Sequence, residues 1–287
     1  MRWVVPLLAF LFLWSPSATA QSATDRVYIG GRVTAGARLD DRPGDRSTTS
    51  AEVSVASPML PLGERDLLRL GLAYRHDRIT LDAPNETRRF PLHAFSPNVT
   101  WAHVLGRRWS LSLTALPTIA SDLRRPFSFD DVQINGLAGL TYLVGGDPGF
   151  RITFAVLGQS RALFTPVLPF VSLDYRTRHL AISAGISGTH VLGLLGDRAE
   201  LGIFGNIGGG VFRVRAPDPR VRFTRLLDLG FGPEANVRLF GPVWLEAKAG
   251  YNVLQTGKLT DADLDRIPGT SLDSRGAFFG QLGIGVR

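Results

Sequence analysis

Few residues in this chain of 287 have types and spacings that suggest chemistry, and they lie far apart. Ser187-Gly188-Thr189-His190 sets a hydroxyl three residues before an imidazole, and His93 stands three residues before Ser96. A serine nucleophile needs a histidine to take its proton and a third group to hold the ring. Ser187 and His190 are therefore the candidate catalytic residues for a surface hydrolase acting on lipid. Without that role His76, His93, His103, His179 and His190 read as rim or interior residues. No HxxxH or HExxH spacing points to zinc. Asp261, Asp263 and Asp265 alternate as in a calcium loop. They lack the glycine and the distal glutamate of an EF-hand, so a solvated acidic loop is the plainer reading. No Lys-Ser/Thr pair follows Gly205–Gly210 to cradle a phosphate, and Asp130-Asp131 reads as a loop end. These motifs imply no cofactor and no metal.

The elements that would position such residues are strands. Trp109, Leu111, Leu113 and Ala115 alternate with Ser110, Ser112 and Thr114. Val243, Leu245, Ala247, Ala249 and Tyr251 alternate with Trp244, Glu246, Lys248, Gly250 and Asn252. Strand side chains point to opposite faces with period two, so each segment has one oily and one polar face. Segments of this kind fall near 28–39, 48–57, 66–79, 92–105, 109–120, 132–144, 150–158, 166–176, 179–190, 198–213, 225–239, 243–256 and 276–287. The longest loops are expected at 214–224 and 257–275. That tally is odd, whereas bacterial barrels have an even number of strands. One boundary is therefore misplaced, either in 160–197, where turns crowd together, or in the N-terminal pair. The reading is an all-β, transmembrane, up-and-down antiparallel β-barrel of about 12 strands, with 10 or 14 open.

The N-terminus supports export. Arg2 precedes an apolar run from Trp3 to Trp14, and Ala18-Thr19-Ala20 is a small-x-small cleavage site. Residues 1–20 read as a cleavable signal peptide and 21–287 as one barrel domain in the bacterial outer membrane. The chain has no cysteine, which excludes a lipoprotein. Beyond the signal there is no run of about 18 apolar residues, so a membrane helix is not expected. The net charge is +7. Nearly all the cations are arginines, scattered over strand edges and loops. A nucleic-acid partner would need them gathered. Arginines near the outer surface suit lipopolysaccharide phosphates, because the planar guanidinium matches that geometry.

A soluble periplasmic β-sandwich that binds a ligand would also alternate apolar with polar. Three features favour the membrane instead. Charges sit mid-strand, aromatic residues fall near segment ends (Tyr28, Tyr74, Trp109, Tyr142, Tyr175, Phe240 and Tyr251), and the chain stops on an alternating strand. Lipid supplies no water for an open edge, so the last strand must pair with the first. The polar faces would then line a lumen with Arg32, Arg38, Glu52, Arg69, Arg75, Glu246, Lys248 and Asn252. The expected function is structural, or a narrow small-solute channel leaning toward anions.

Four stretches carry a family likeness. They are Arg108–Leu113, Leu168–Arg176, Gly208–Arg213 and Val243–Tyr251. They resemble a family of bacterial outer-membrane β-barrels whose domain has no assigned function, over about three fifths of the chain. The resemblance implies an outer-membrane barrel with no assigned activity. The expected partners are outer-membrane lipids, lipopolysaccharide and the barrel assembly machinery. One departure stands out. Such proteins commonly end on an aromatic residue read by that machinery, whereas this sequence ends Gly285-Val286-Arg287. Neither solute nor oligomeric state is legible.

Overall fold

The computed structural model describes residues 26–40, 43–84, 86–145, 149–161, 166–186, 188–216 and 218–287. The signal peptide expected at 1–20 lies outside them. The strands are β1 (Val27–Arg38), β2 (Asp45–Ala56), β3 (Leu60–Pro61), β4 (Asp66–Ala83), β5 (Glu86–Val104), β6 (Trp109–Ser121), β7 (Val132–Val144) and β8 (Phe150–Gln159). They continue with β9 (Val167–Arg176), β10 (Leu180–Gly185), β11 (Gly188–Leu195), β12 (Ala199–Arg213), β13 (Phe223–Phe240), β14 (Val243–Thr260), β15 (Arg266–Ser271) and β16 (Ala277–Val286). A 3-10 turn, Phe129–Asp131, is capped by Ser128 and Asp131.

Fourteen of these strands form a closed antiparallel barrel, each paired with the next in the chain. The remaining two, β3 and β15, are short additions on β4 and β14. Closure runs through β1 and β16, with Val27 opposite Val286 and Arg32 opposite Gln281. The last strand thus seals the first, as a wall in lipid requires.

Fourteen strands replace the favoured twelve because the segment read as one strand at 179–190 is a hairpin. Gly188, at φ 137°, turns the chain so that β11 runs back along β10. Ile182, Ala184 and Ile186 alternate with Ser183 and Gly185 right up to the turn, which hides it in the sequence. The polar stretch 80–90, which reads as a loop between the expected strands 66–79 and 92–105, is instead the top of the tall β4–β5 hairpin, paired as far as Ala83 with Glu86.

The wall is apolar outside. Ile29, Val53, Leu70, Leu113, Phe154, Val171, Ile203, Phe231, Leu282 and Ile284 are all exposed, an arrangement that suits lipid rather than water. At the end where the chain termini lie, Trp109 packs on Tyr142 and Phe150 on Tyr175 in an aromatic girdle. Tyr28 does not join it. It is buried in the lumen, where its hydroxyl accepts from Gln281 at 3.1 Å.

The opposite end, where the long loops are, is filled rather than open. The β11 pairing leaves β12 after Gly205. From Asn206 onward β12 is buried on both faces, as Ile207, Val211 and Phe212 show, and the start of β13 matches it with Phe223, Leu226 and Leu227. Two-faced burial means that this half of the hairpin has left the wall and folded across the mouth. Its end reaches β6, where Arg213 pairs with Ser121. Gly209 permits the bend. It sits at φ 134°, and an added Cβ there would collide with the Leu226 carbonyl oxygen. Val214 and Val221 from one loop, and Ile267 and Leu272 from another, pack with Ile79, Leu92, Phe212 and Leu226 into an apolar plug. A second cluster joins Val211 and Phe223 to Leu157 and Leu168 on the far wall.

Candidate functional site

Polar side chains converge on the barrel's inner face. Below the plug they form a cross-lumen network. Lys248 of β14 lies 2.8 Å from the Glu246 carboxylate and 3.5 Å from that of Glu234 on β13. The other Glu234 oxygen meets His190 Nδ1 of β11 at 2.6 Å. Gln281 donates to Glu246 at 3.4 Å as well as to Tyr28. Arg32 donates to Asn252 at 2.6 Å, and its guanidinium lies 3.8 Å over the Phe279 ring. Arg75 Nε donates to Asp77 at 2.8 Å, and the fully buried Arg46 lies 3.5 Å from Asp228.

Buried charges are costly unless paired and hydrogen-bonded. That rule accounts for the network: each basic side chain named in it has an acid or amide oxygen within reach.

The sequence-expected lumen residues are distributed as follows. Arg32, Glu52, Arg75, Glu246, Lys248 and Asn252 all lie on the inner face, with Asn252 only 1% exposed. Arg69 is half-buried on the inward-facing side of β4, opposite Thr100 near the terminal end. Arg38 is exposed, which corrects the lumen-lining expectation. The register of β1 on β2 shifts between Thr34 and Ala37. The bulge moves the inward positions from even to odd numbers, so Ala37 and Leu39 are buried and Arg38 turns out.

His190 faces the lumen and stacks near Phe204, rather than facing lipid. Ser187 lies outside the described residues. Asp261 uses a carboxylate oxygen to accept the backbone N–H groups of Asp263 and Asp265, so this acid folds its own loop. Asp131 pairs with Arg213 at 3.1 Å.

Several lumen residues escaped the sequence reading. Glu234 and Asn236 alternate with Ala235 and Val237, a period-two signal like the one that marked Glu246 and Lys248. Arg46 fell between the expected strands 28–39 and 48–57, because β2 begins at Asp45, earlier than its apolar pattern does. Glu200 sits at the foot of β12. It accepts from Arg176 at 3.1 Å, Arg287 at 2.8 Å and Asn236 at 3.1 Å. Nothing local distinguishes it, since its partners come from β9, β13 and the end of the chain.

The lumen therefore changes along its length. At the terminal end there is a vestibule of about 550 Å³, lined by Arg176, Asp197, Glu200, Arg238, Trp244 and Arg287. Midway, the space among Tyr28, Arg32, Arg75, Asn206 and Asp228 shrinks to a cavity of about 30 Å³, room for roughly two waters. The apolar plug lies beyond. Acids stand opposite Arg46, Arg75 and Lys248.

No protein-family profile matches the chain, and no curated protein matches it. The solved structures it is similar to include outer-membrane barrels, as the family resemblance implies. An outer membrane channel from Pseudomonas putida F1 aligns over 96% of this chain and 100% of its own, at 10% identity and TM-score 0.45. The NanC porin aligns over 91% and 99%, at 7% identity and TM-score 0.40. LpxR from Salmonella typhimurium aligns over 89% and 99%, at 9% identity and TM-score 0.35. These likenesses are remote, and the reading below rests on the barrel's own geometry.

Proposed function

We propose that this chain is a bacterial outer-membrane β-barrel whose lumen is a gated path for small solutes, shut in the conformation described here. One observation carries the reading: a wet-lined vestibule and ion-pair network lead up to an apolar plug made by the inward-folded β12–β13 hairpin. A purely structural barrel has no need of a polar passage. A constriction of aliphatic and aromatic groups excludes water and ions until it moves apart. Because the lumen acids and bases balance, the open state should discriminate weakly between anions and cations. Export, outer-membrane residence and insertion by the barrel assembly machinery belong to the same proposal.

Planar-bilayer recording of the purified full chain tests it. The wild type should be nearly silent, with rare openings, and Phe212→Ala should raise the open probability at least tenfold. Steady wild-type conductance would overturn the closed state. Silence in both proteins would overturn the channel and leave a structural barrel. Lipid hydrolysis that is lost in His190→Ala would put an enzyme in its place.

A further inference from the structure

The outer wall carries a feature that the lumen does not explain. On β4 and β5 the outward residues stack in rungs, each pair directly opposed. From the terminal end upward the rungs are Leu70 with Val99, Leu72 with Pro97, Tyr74 with Phe95, His76 with His93, Arg78 with Pro91, and Thr80 with Arg89. The first three rungs are apolar or aromatic. The next three are cationic or polar.

The two histidine rings lie 4.6 Å apart. The Tyr74 hydroxyl meets His93 Nδ1 at 2.8 Å. The Nδ1 of His76 is shielded from solvent and has no hydrogen-bond partner among the described residues. Arg78 and Arg89 are exposed diagonal neighbours, and diagonal pairs on a sheet stand about 7–8 Å apart. Neither has an ion-pair partner among the described residues. Arg124, from the loop after β6, reaches the Arg89 carbonyl at 3.3 Å and adds a third cation beside them. The acid of the next rung, Asp82, already accepts from Thr87.

On the neighbouring β2 the same levels read Val53, Ala51, Thr49 and Ser47, so no acid faces these cations from that side. An apolar belt gives way within one rung to three guanidinium groups; the Asp82 and Asp45 carboxylates stand only at the next level, and Asp122 is taken up by the Arg124 and Arg215 backbone N–H groups. That order matches a lipid whose acyl chains lie below and whose anionic headgroup lies above. Arginine's fork suits phosphate oxygens in particular.

We infer that the outer face of β4 and β5, through Arg78 and Arg89 with Arg124 beside them, binds the phosphate headgroup of a phosphorylated glycolipid in the loop-end leaflet. The inference rests on the reading that this wall meets lipid.

Native mass spectrometry of the full-length protein in detergent tests it, with lipid A carrying its phosphates as one probe and dephosphorylated lipid A as the other. The wild type should retain the phosphorylated form at least tenfold more tightly, about one charge-assisted contact's worth. Arg78→Gln with Arg89→Gln should abolish that preference, and Arg78→Lys with Arg89→Lys should keep part of it. Arg107→Gln, in the exposed turn at the other end, should leave it intact. Equal retention of the two lipids by the wild type would overturn the site. So would a preference unchanged in the double glutamine variant, or one lost equally in Arg107→Gln. Inorganic phosphate that competes as well as the lipid would show an ion site with no lipid role, and would also overturn it. Failure of the membrane reading looks different, because the protein would then stay in the aqueous fraction without detergent.

Discussion

The two halves of the lumen solve the same problem in opposite ways. Both lie inside one wall whose outer face is apolar. In the terminal half the interior is filled with charges that hydrogen-bond one another, centred on Lys248, Glu234, Glu246 and His190. In the loop half the interior is an ordinary dry core of Ile79, Leu92, Phe212, Val221 and Leu226. The first arrangement keeps polar groups along a path and depends on every partner staying in place. The second is held chiefly by packing, with buried donors such as Arg46 and Gln133 tying its edges through the Leu272 and Val211 carbonyls. A gate built from the second and a conduit built from the first is the simplest use of that difference.

The sharpest test of the terminal half is Lys248→Met. It removes the cation from between two carboxylates that are nearly inaccessible to water. Breaking a buried pair from one side costs about 3–5 kcal/mol, because the remaining charges are left uncompensated. The urea midpoint of the refolded barrel, followed by heat-modifiable gel migration, should fall accordingly, while bilayer conductance stays silent. Adding Glu234→Gln and Glu246→Gln to Lys248→Met should recover much of the loss. If Lys248→Met were neutral, the network would not be the support it is taken for.

Phe212→Ala probes the loop half with the opposite pattern. A buried phenylalanine truncated to alanine costs about 3 kcal/mol where neighbours settle into the space, as two loops can here. The loss should be felt by the plug more than by the wall. Openings should therefore appear in bilayers although heat-modifiable migration is kept. Conductance changes that followed Lys248→Met rather than Phe212→Ala would reverse the assignment of conduit and gate.

What was legible in the sequence follows the same division. Wherever one face is exposed and apolar and the other meets the polar lumen, period-two alternation survives, and Arg32, Arg75, Glu246, Lys248 and Asn252 share the inner face. Wherever both faces are covered, the signal vanishes. The inward half of β12 reads as a strand in Gly208–Arg213, but nothing in it announces that it leaves the wall, because inward and outward residues there are both apolar or glycine. Parity also fails after a bulge, which is why Arg38 lands outside. The short β10–β11 hairpin was missed because alternation continues up to Ile186, and the positive-φ Gly188 opens the returning strand with no proline or acidic residue nearby to flag a turn. Glu200 gathers its cross-strand neighbour Asn236 together with Arg176 and Arg287, and it is the curvature and closure of the barrel that bring the two arginines to it.

The wall common to both halves gives a third, smaller effect. Leu282 faces outward in the middle of β16 and is 58% exposed. Leu282→Arg should destabilise the barrel by about 2 kcal/mol in a phosphatidylcholine bilayer, since a charge on the lipid face is disfavoured most near the midplane. The same substitution should matter far less in a mild detergent micelle, where the headgroup boundary can move. Equal tolerance in bilayer and micelle would argue that this face does not meet hydrocarbon.

The loop 214–222 places both kinds of effect within a few residues, and separates packing from surface charge. Val221 is buried in the plug. Val221→Ala deletes two methyl groups' worth of burial and should cost about 1.5 kcal/mol. It should also raise conductance modestly, in the direction of Phe212→Ala. Three residues earlier Asp218 accepts from Arg220 at 2.8 Å at the exposed tip. Those side-chain hydrogen bonds, with one from the Arg220 backbone, hold the Asp218 carboxyl below its ordinary value near 3.8. A carboxyl lowered in the folded state contributes stability above its unfolded value and loses it as pH falls through the folded one. Here that window lies below pH 4, and solvent screens the pair throughout. Asp218→Asn should thus leave the urea midpoint and the conductance unchanged at pH 7. A clear shift there, or a Val221→Ala variant as silent as Asp218→Asn, would show that the plug is not held by the packing of this loop.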